Sequence, residues 1–204
     1  MPNYYLISLL LIVLAIAAFA MAFERRKPQA RDLVIVAVLV AIAVASRAAF
    51  FMVPQVKPMI AIIIIAGVSL GAQSGFLVGA LAGFLSNFIF GQGPWTPWQM
   101  FALGIIGFLA GILFRRSPLK TKRLPVCIFG GFSTLVLYGL IVDTSSAMMF
   151  TPRLSKEVLL TTYLAGLPFN AIHAVSTMIF LLILAKPMIE KLSRVKKKYG
   201  LVES

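Results

Sequence analysis

Any chemistry in this chain would have to come from very few side chains. Its carboxylates are Glu24, Asp32, Asp143, Glu157, Glu190 and Glu203; it has one histidine, His173, and one cysteine, Cys127. Acid–base catalysis needs a paired acid and base, covalent catalysis a nucleophile beside a base, and a metal centre a cluster of ligands. None of these patterns is present. The acids fall at the ends of apolar runs, in the links between them or in the tail, and His173 has neither a cysteine nor a carboxylate at ligand spacing. We therefore expect no catalytic residue, no metal site and no cofactor held by the chain itself. No Gly-x-x-x-x-Gly-Lys-Ser/Thr phosphate loop occurs, so ATP is not split here by that route. Cys127 lies inside an apolar run and is expected to be a small packing residue.

What remains is a set of polar residues suited to binding. The stretch Gly91-Gln92-Gly93-Pro94-Trp95-Thr96-Pro97-Trp98-Gln99 is punctuated by glycine and proline and is expected to be a structured loop. Its two tryptophans suit either anchoring at the lipid interface or stacking over a planar ligand. Asn170 and His173 are three residues apart and share a helix face, just after Gly166 and Pro168, where a kink toward a cavity is expected. They would serve as an interhelical contact or as solute ligands. Arg47 lies sixteen residues beyond Arg31, about 24 Å along a helix. It would either snorkel to the interface or offer a cation at the mouth of a site.

Apolar runs must carry these residues. The chain of 204 residues is 60% hydrophobic and 12% charged, with a mean hydropathy of +0.98, which excludes a water-soluble fold. Lipid leaves backbone groups nothing to bond to but each other, so only helices or a closed barrel can cross it. Unbroken apolar runs, rather than alternating ones, select an all-α polytopic membrane bundle. Seven spans are expected, near residues 4–23, 33–53, 59–70, 76–90, 100–114, 126–142 and 158–185. Residues 71–75 would form a tight turn between two short helices packed through Gly67, Gly79 and Gly83. A loop would run from Asp143 to Glu157, and a basic tail would follow Ala185.

The formal charge of +13 does not mark a nucleic-acid surface, because the basic residues cluster in links between apolar runs. They orient the chain instead, with some attraction to anionic headgroups. With the N-terminus outside, residues 24–32, 71–75, 115–125 and 186–204 face the cytoplasm and hold 15 of the 19 Lys and Arg. The others are Arg47, Lys57, Arg153 and Lys156. No Lys or Arg precedes the first run, so it lacks the basic start of a cleaved signal peptide and is expected to stay as a membrane helix.

Over about residues 31–190 the sequence resembles the substrate-binding S components of energy-coupling factor (ECF) transporters, which import vitamins into bacteria. The resemblance is carried by Ala37-x-x-x-Ala41-x-x-x-Ala45, the glycine-rich segment from Gly71 to Gly83, the segment Asn87 to Gln99 with Gly-Pro-Trp-Thr-Pro, and Gly166-Leu-Pro-Phe-Asn170-x-x-His173-Ala174. It implies a six-helix bundle in the bacterial cell membrane, here residues 31–190, preceded by an extra helix in residues 1–30 and followed by a basic cytoplasmic tail in 191–204. It implies an outer solute pocket covered by the links at Pro54–Pro58, Gly91–Pro97 and beyond Asp143. Arg47, Gln92, Trp95, Thr96, Trp98, Asp143, Asn170 and His173 would bind the solute there. Ala37, Ala41 and Ala45 would dock a membrane coupling subunit, the T component, which carries two ABC ATPases that supply the ATP-driven step as the S component topples inward. Within the family, the tryptophan loop with Asn-x-x-His is most similar to S components for cobalamin or related corrinoids; riboflavin and queuine-like bases also suit it. An ion-coupled carrier is the competing class, but no carboxylate lies mid-membrane to serve it.

Overall fold

The computed structural model describes residues 2–25, 29–151 and 153–199; Arg26 and Lys27 of the first basic cluster, Pro152 of the expected late loop, and 200–204 of the tail lie outside the described residues. The chain forms α1 (Pro2–Glu24), α2 (Ala30–Ala49), α3 (Met59–Leu70), α4 (Ala72–Phe90), α5 (Thr96–Phe114), α6 (Arg123–Phe132), α7 (Gly139–Phe150) and α8 (Lys156–Tyr199). No strand occurs among the described residues. A single π turn, Ser133–Tyr138, joins α6 to α7, so the two form one continuous span of 28 residues. Among the described residues, α2, α4, α5, the α6–α7 span and α8 are each long and apolar enough to cross a bilayer. The all-α membrane bundle expected from composition is the fold observed.

The centre is α3. From Met59 to Ser69 every residue is buried, most of them Ile and Ala with almost no exposure. Twelve residues span only about 18 Å, less than the hydrocarbon thickness, so α3 sits as an interior plug with α2, α4, α5, α6 and α8 around it. The outer helices turn Leu, Ile, Val and Phe outward, as a lipid-facing surface must; on α8 these include Leu160, Leu164, Ile172, Val175 and Ile183. Along the same helix Ala174, Thr177, Leu181, Ala185 and Ile189 turn inward.

Several expected boundaries move, each for a local reason. The turn between α3 and α4 is Gly71 alone, whose φ of 101° only glycine adopts readily; Gln73, Ser74 and Gly75 already belong to α4. Gly67, Gly79 and Gly83 are seams as expected, but against α5: Cβ atoms added at Gly67 and Gly79 would strike the Gly107 and Leu103 backbones, and one at Gly83 would sit tightly against the Leu103 side chain and the Met100 backbone. The Gly91–Gln99 loop ends at Trp95. Thr96-Pro97-Trp98-Gln99 form the first turn of α5, where proline's missing N–H costs nothing. Asp143 does not begin a loop. The helix continues to Phe150, with the hydroxyls of Thr144, Ser145 and Ser146 satisfied by the carbonyls of Leu140 and Val142 so that they do not compete for the backbone N–H groups, leaving 151–155 as the link. The basic tail is likewise helical to Tyr199, tied by Lys196 Nζ to the Ser69 carbonyl at 3.3 Å. Finally, α1 packs on α4 and α5, with Phe19 stacked on Phe76 at 3.9 Å and edge-on to Phe108 at 4.9 Å.

Candidate functional site

A polar cavity lies inside the end of the bundle that carries the α2–α3 and α4–α5 links. It is lined by Arg47 from the last turn of α2, Gln55 and Lys57 from the α2–α3 link, Met59 and Ile60 from α3, Gln99 and Leu103 from α5, Tyr138 from the π turn and His173 from α8. Its volume is about 30 Å³, room for ordered water but small for a vitamin-sized solute. A π turn adds one residue to a helical turn and so rotates the residues around it relative to a regular helix. Here it brings Tyr138 into the lining, edge-on to His173 with ring centroids 5.3 Å apart.

Arg47 is held by a relay of neutral side chains. Its Nη1 donates to Ser86 Oγ at 2.5 Å and Asn87 Oδ1 at 2.9 Å, and its guanidinium lies over the Phe90 ring, 4.3 Å from the centroid. Asn87 is fully buried, and its amide donates to Thr96 Oγ1 at 3.1 Å and Gln99 Oε1 at 2.8 Å. The Thr96 hydroxyl donates to Gln92 Oε1 at 2.9 Å and accepts from Gly93 N at 3.2 Å, while Gln92 Nε2 reaches the Phe84 carbonyl at 2.9 Å. The relay pins the α4–α5 link to α4 and aims Arg47 at the cavity.

Lys57 is placed by its backbone, whose N–H donates to Ser176 Oγ at 3.0 Å. Gln55, two residues earlier, has a φ of 61°, a left-handed conformation that costs a side-chain-bearing residue roughly 1 kcal/mol or more. Such strain persists where surroundings enforce it, here in a link bounded by Pro54 and Pro58. Burial and the nearby Arg47 charge hold the Lys57 ammonium below the ordinary lysine pKa. His173 is 5% exposed and its Nε2 has no hydrogen-bond partner among the described residues.

The residues expected to bind solute therefore separate. Arg47 and His173 meet at the cavity. Gln92 and Thr96 belong to the relay behind Arg47. Trp95 folds over Gly93, where its ring occupies the space a Cβ would need; Trp98 is buried at the start of α5 and is not among the cavity-lining residues. Asp143 and Asn170 bond to each other at 2.8 Å, outside the lining: Asp143 lies against Gly166, and Asn170 against Gly139. Ala37, Ala41 and Ala45 all face outward on α2, opposite the buried Val36, Leu39, Val40 and Ala43. Among the described residues no group of His, Cys, Asp or Glu could hold a metal.

Sequence reasoning gave no role to Asn87, Gln99 or Tyr138, and counted Lys57 only as a cation outside the basic links. The available signals were Ser86-Asn87 as polar residues at the end of an apolar run, and Lys57 on the expected outer side despite the charge rule. Nothing in the sequence announced the π turn that turns Tyr138 inward.

A helical membrane bundle with a small cavity at one end, lined by Arg47, Lys57, Gln99, Tyr138 and His173 among others, has the build of a solute-binding membrane subunit. The chain belongs to the ECF-type riboflavin transporter S component family, whose model matches residues 27–190. It is thus a transport subunit, the substrate-binding component of an ECF transporter. It is also similar to a UPF0397 protein of Vibrio atlanticus (strain LGP32), 27% identical over 135 residues that cover 63% of this chain and 74% of that protein. No solved structure matches.

Proposed function

We propose that this S component captures a flat heteroaromatic vitamin-like solute at the outer face of the bacterial membrane. It then delivers the solute inward on a T component driven by two ABC ATPases. The observation that carries the reading is the cavity at which Arg47, Lys57, Gln55, Gln99, Tyr138 and His173 converge. It combines aromatic surface with several hydrogen-bonding groups, as a site for a polar-edged ring requires. The distribution of basic residues supports the orientation, with the cavity end outside and both the α1–α2 link and the α8 extension in the cytoplasm.

Pockets that hold a drug-sized ligand run to about 300 Å³ or more, roughly ten times this cavity. The whole solute must therefore enter by displacing a lining segment. The α2–α3 link suits that role: it supplies Gln55 and Lys57, while Phe51, Met52 and Val53 beside them are exposed, Met52 by 85%. Solute size also bears on identity. A corrinoid calls for a long open loop after Asp143, and only residues 151–155 link α7 to α8. A smaller planar solute such as riboflavin is the first choice, with cobalamin the second.

Equilibrium binding of the purified chain in detergent, titrated with riboflavin and with cobalamin, tests the reading. Saturable riboflavin binding without partner subunits is expected; tight cobalamin binding in its place would return the corrinoid to first rank. The outward alanine face of α2 is the proposed T-component contact. Ala41→Trp should abolish ATP-dependent uptake in cells carrying the full transporter and leave solute affinity within about twofold, because small residues permit the close helix approach. Normal uptake by that variant would move the docking face elsewhere.

A further inference from the structure

We infer that α8 straps two halves of the bundle together at both ends, and that Lys196, on the cytoplasmic side, is a positioning residue that sets how readily the cavity opens at the outer end. The inference rests in part on the capture role proposed above and adds a control point to it.

The helices fall into two groups: α2, α3, α4 and α5 pack on one another, and so do α6, α7 and α8 with the π turn. The cavity lies where the groups meet. Arg47, Lys57, Ile60 and Gln99 come from the first, Tyr138 and His173 from the second. Much of the seam is apolar, with Phe50 edge-on to Phe180 and Phe114 edge-on to Phe129 at centroid distances of 5.2 and 5.5 Å. In lipid such faces gain little from each other that acyl chains would not also supply, so polar bonds across the seam weigh more in holding it.

Two such bonds run from α8 to the first group. At the cavity end Ser176 Oγ accepts from the Lys57 N–H at 3.0 Å, one residue ahead of the Pro58 cap of α3. At the cytoplasmic end Lys196 Nζ donates to the Ser69 carbonyl at 3.3 Å. That carbonyl belongs to the last turn of α3, where carbonyls lack intrahelical partners and a cation meets the negative end of the helix dipole. By contrast, Asn170 to Asp143 and Thr134 to Thr177 are bonds within the second group.

The lower tie is a directed reach. Ser176 and Lys196 are twenty residues apart, about 30 Å of helix, whereas Lys57 and Ser69 are twelve apart, about 18 Å. Helical side chains lean toward the N-terminus, so the Lys196 stem points back at the bundle, and Pro187 inside α8 permits a bend over the end of α3. Ile189 is buried, and Met188 and Leu192 pack on the core, so this part of α8 is seated. Lys191, Arg194, Lys197 and Lys198 stay exposed while Lys196 is half-buried. It also lies beyond residue 190, where the family model ends. Because α8 is continuous from Lys156 to Tyr199, freeing its cytoplasmic end lets the rod tilt at the seam. The bond that such a tilt strains is the one from Lys57 to Ser176, which fastens the α2–α3 link over the cavity.

The test uses the full chain in detergent and reads amide hydrogen exchange in the α2–α3 link, residues 50–57, without solute, because exchange there follows local opening. Lys196→Met keeps the stem and removes the ammonium. It should speed exchange in the link about three- to tenfold, the range that one cation–carbonyl bond at a helix end supports. Lys196→Arg should stay within about twofold of wild type, and so should Lys197→Met, which removes the same charge from the exposed side. Riboflavin should leave Lys196→Met faster by a similar factor. The converse variant, Ser176→Ala, should speed exchange at residues 190–198, since coupling between two ties is reciprocal. Faster exchange confined to the neighbourhood of Ser69 and Lys196, with the link unchanged, would overturn the inference and reduce Lys196 to a local cap. Equal acceleration by Lys197→Met would overturn it as well, and so would a silent cytoplasmic end in Ser176→Ala, even if Lys196→Met did not fold. Link acceleration specific to Lys196→Met in a chain that binds no riboflavin would leave the strap standing and sink the riboflavin reading.

Discussion

Glycine does opposite work in two halves of this bundle. Where α3, α4 and α5 meet, it lets backbone touch backbone: Cβ atoms added at Gly67 and Gly75 would both strike the Gly107 carbonyl, one at Gly107 would strike the Gly75 carbonyl, and one at Gly111 would strike Ala72. Where α7 meets α8, it lets polar side chains in. Asp143 fills the space beside Gly166 and Asn170 the space beside Gly139, and the two helices are then joined by Asn170 to Asp143 and by Thr144 to Tyr163, both at 2.8 Å. The first contact depends on shape and tolerates no slippage, because packing there is close and repulsion steep. The second depends on a few hydrogen bonds, which in membrane proteins are worth only about 0.6 kcal/mol on average. The two contacts therefore differ in kind: one is fixed by backbone shape, the other by a few polar side chains.

Breaking the first contact should have the largest effect. Gly107→Val places a branched side chain on the Gly75 carbonyl and against Ile63 at the centre of the block, so the three helices cannot close. Overpacking of this kind usually costs about 1–3 kcal/mol where side chains can shift, and more where backbone is the obstacle. We expect no monodisperse protein after extraction, read by size-exclusion chromatography. A folded variant melting near wild type would show that the block is looser than its seam implies.

The second contact should break more gently. Asn170→Leu removes the donor from Asp143 and leaves a carboxylate between α7 and α8 with no partner among the described residues. The expected loss is about 1–3 kcal/mol, since the acid can take a proton in place of the lost bond. Protein should still be recovered, with a lower melting midpoint, and Asp143→Asn in the same chain should restore part of it. Equal damage from Asn170→Leu and Gly107→Val would erase the distinction between the halves.

How much of this was legible beforehand follows from what each contact is made of. Apolar run length gave the helices, because lipid imposes one length and one polarity on every span. The glycines of α4 and α5 stood out as small residues in apolar runs, but which helix each one faced depends on crossing geometry that no single run contains. Arg47 and His173 were conspicuous as ionisable groups inside spans. Their role in the cavity depends on Lys57 and Tyr138, brought in by a proline-bounded link and a π turn, and neither has a strong local signature. The tail showed its charge and hid its helix, since Met188, Ile189 and Leu192 along its inner side continue the packing of α8 past the last apolar run.

The smallest expected effect lies at Trp98, where the glycine-packed block meets the relay behind Arg47. Its ring is buried in the first turn of α5, yet Nε1 has no acceptor among the described residues, and the residue is not among those lining the cavity. Trp98→Phe removes an N–H that costs about 1–3 kcal/mol to bury unpaired and also removes ring volume, which costs a similar amount. The two nearly cancel, so the melting midpoint should move by no more than a few degrees in either direction. Solute affinity should be unchanged, because the indole is not among the residues lining the cavity. A tenfold loss of affinity at unchanged stability would instead make that N–H a donor to the solute. It would also extend the site from the cavity into the seam between α4 and α5, joining the two regions that the glycines keep apart.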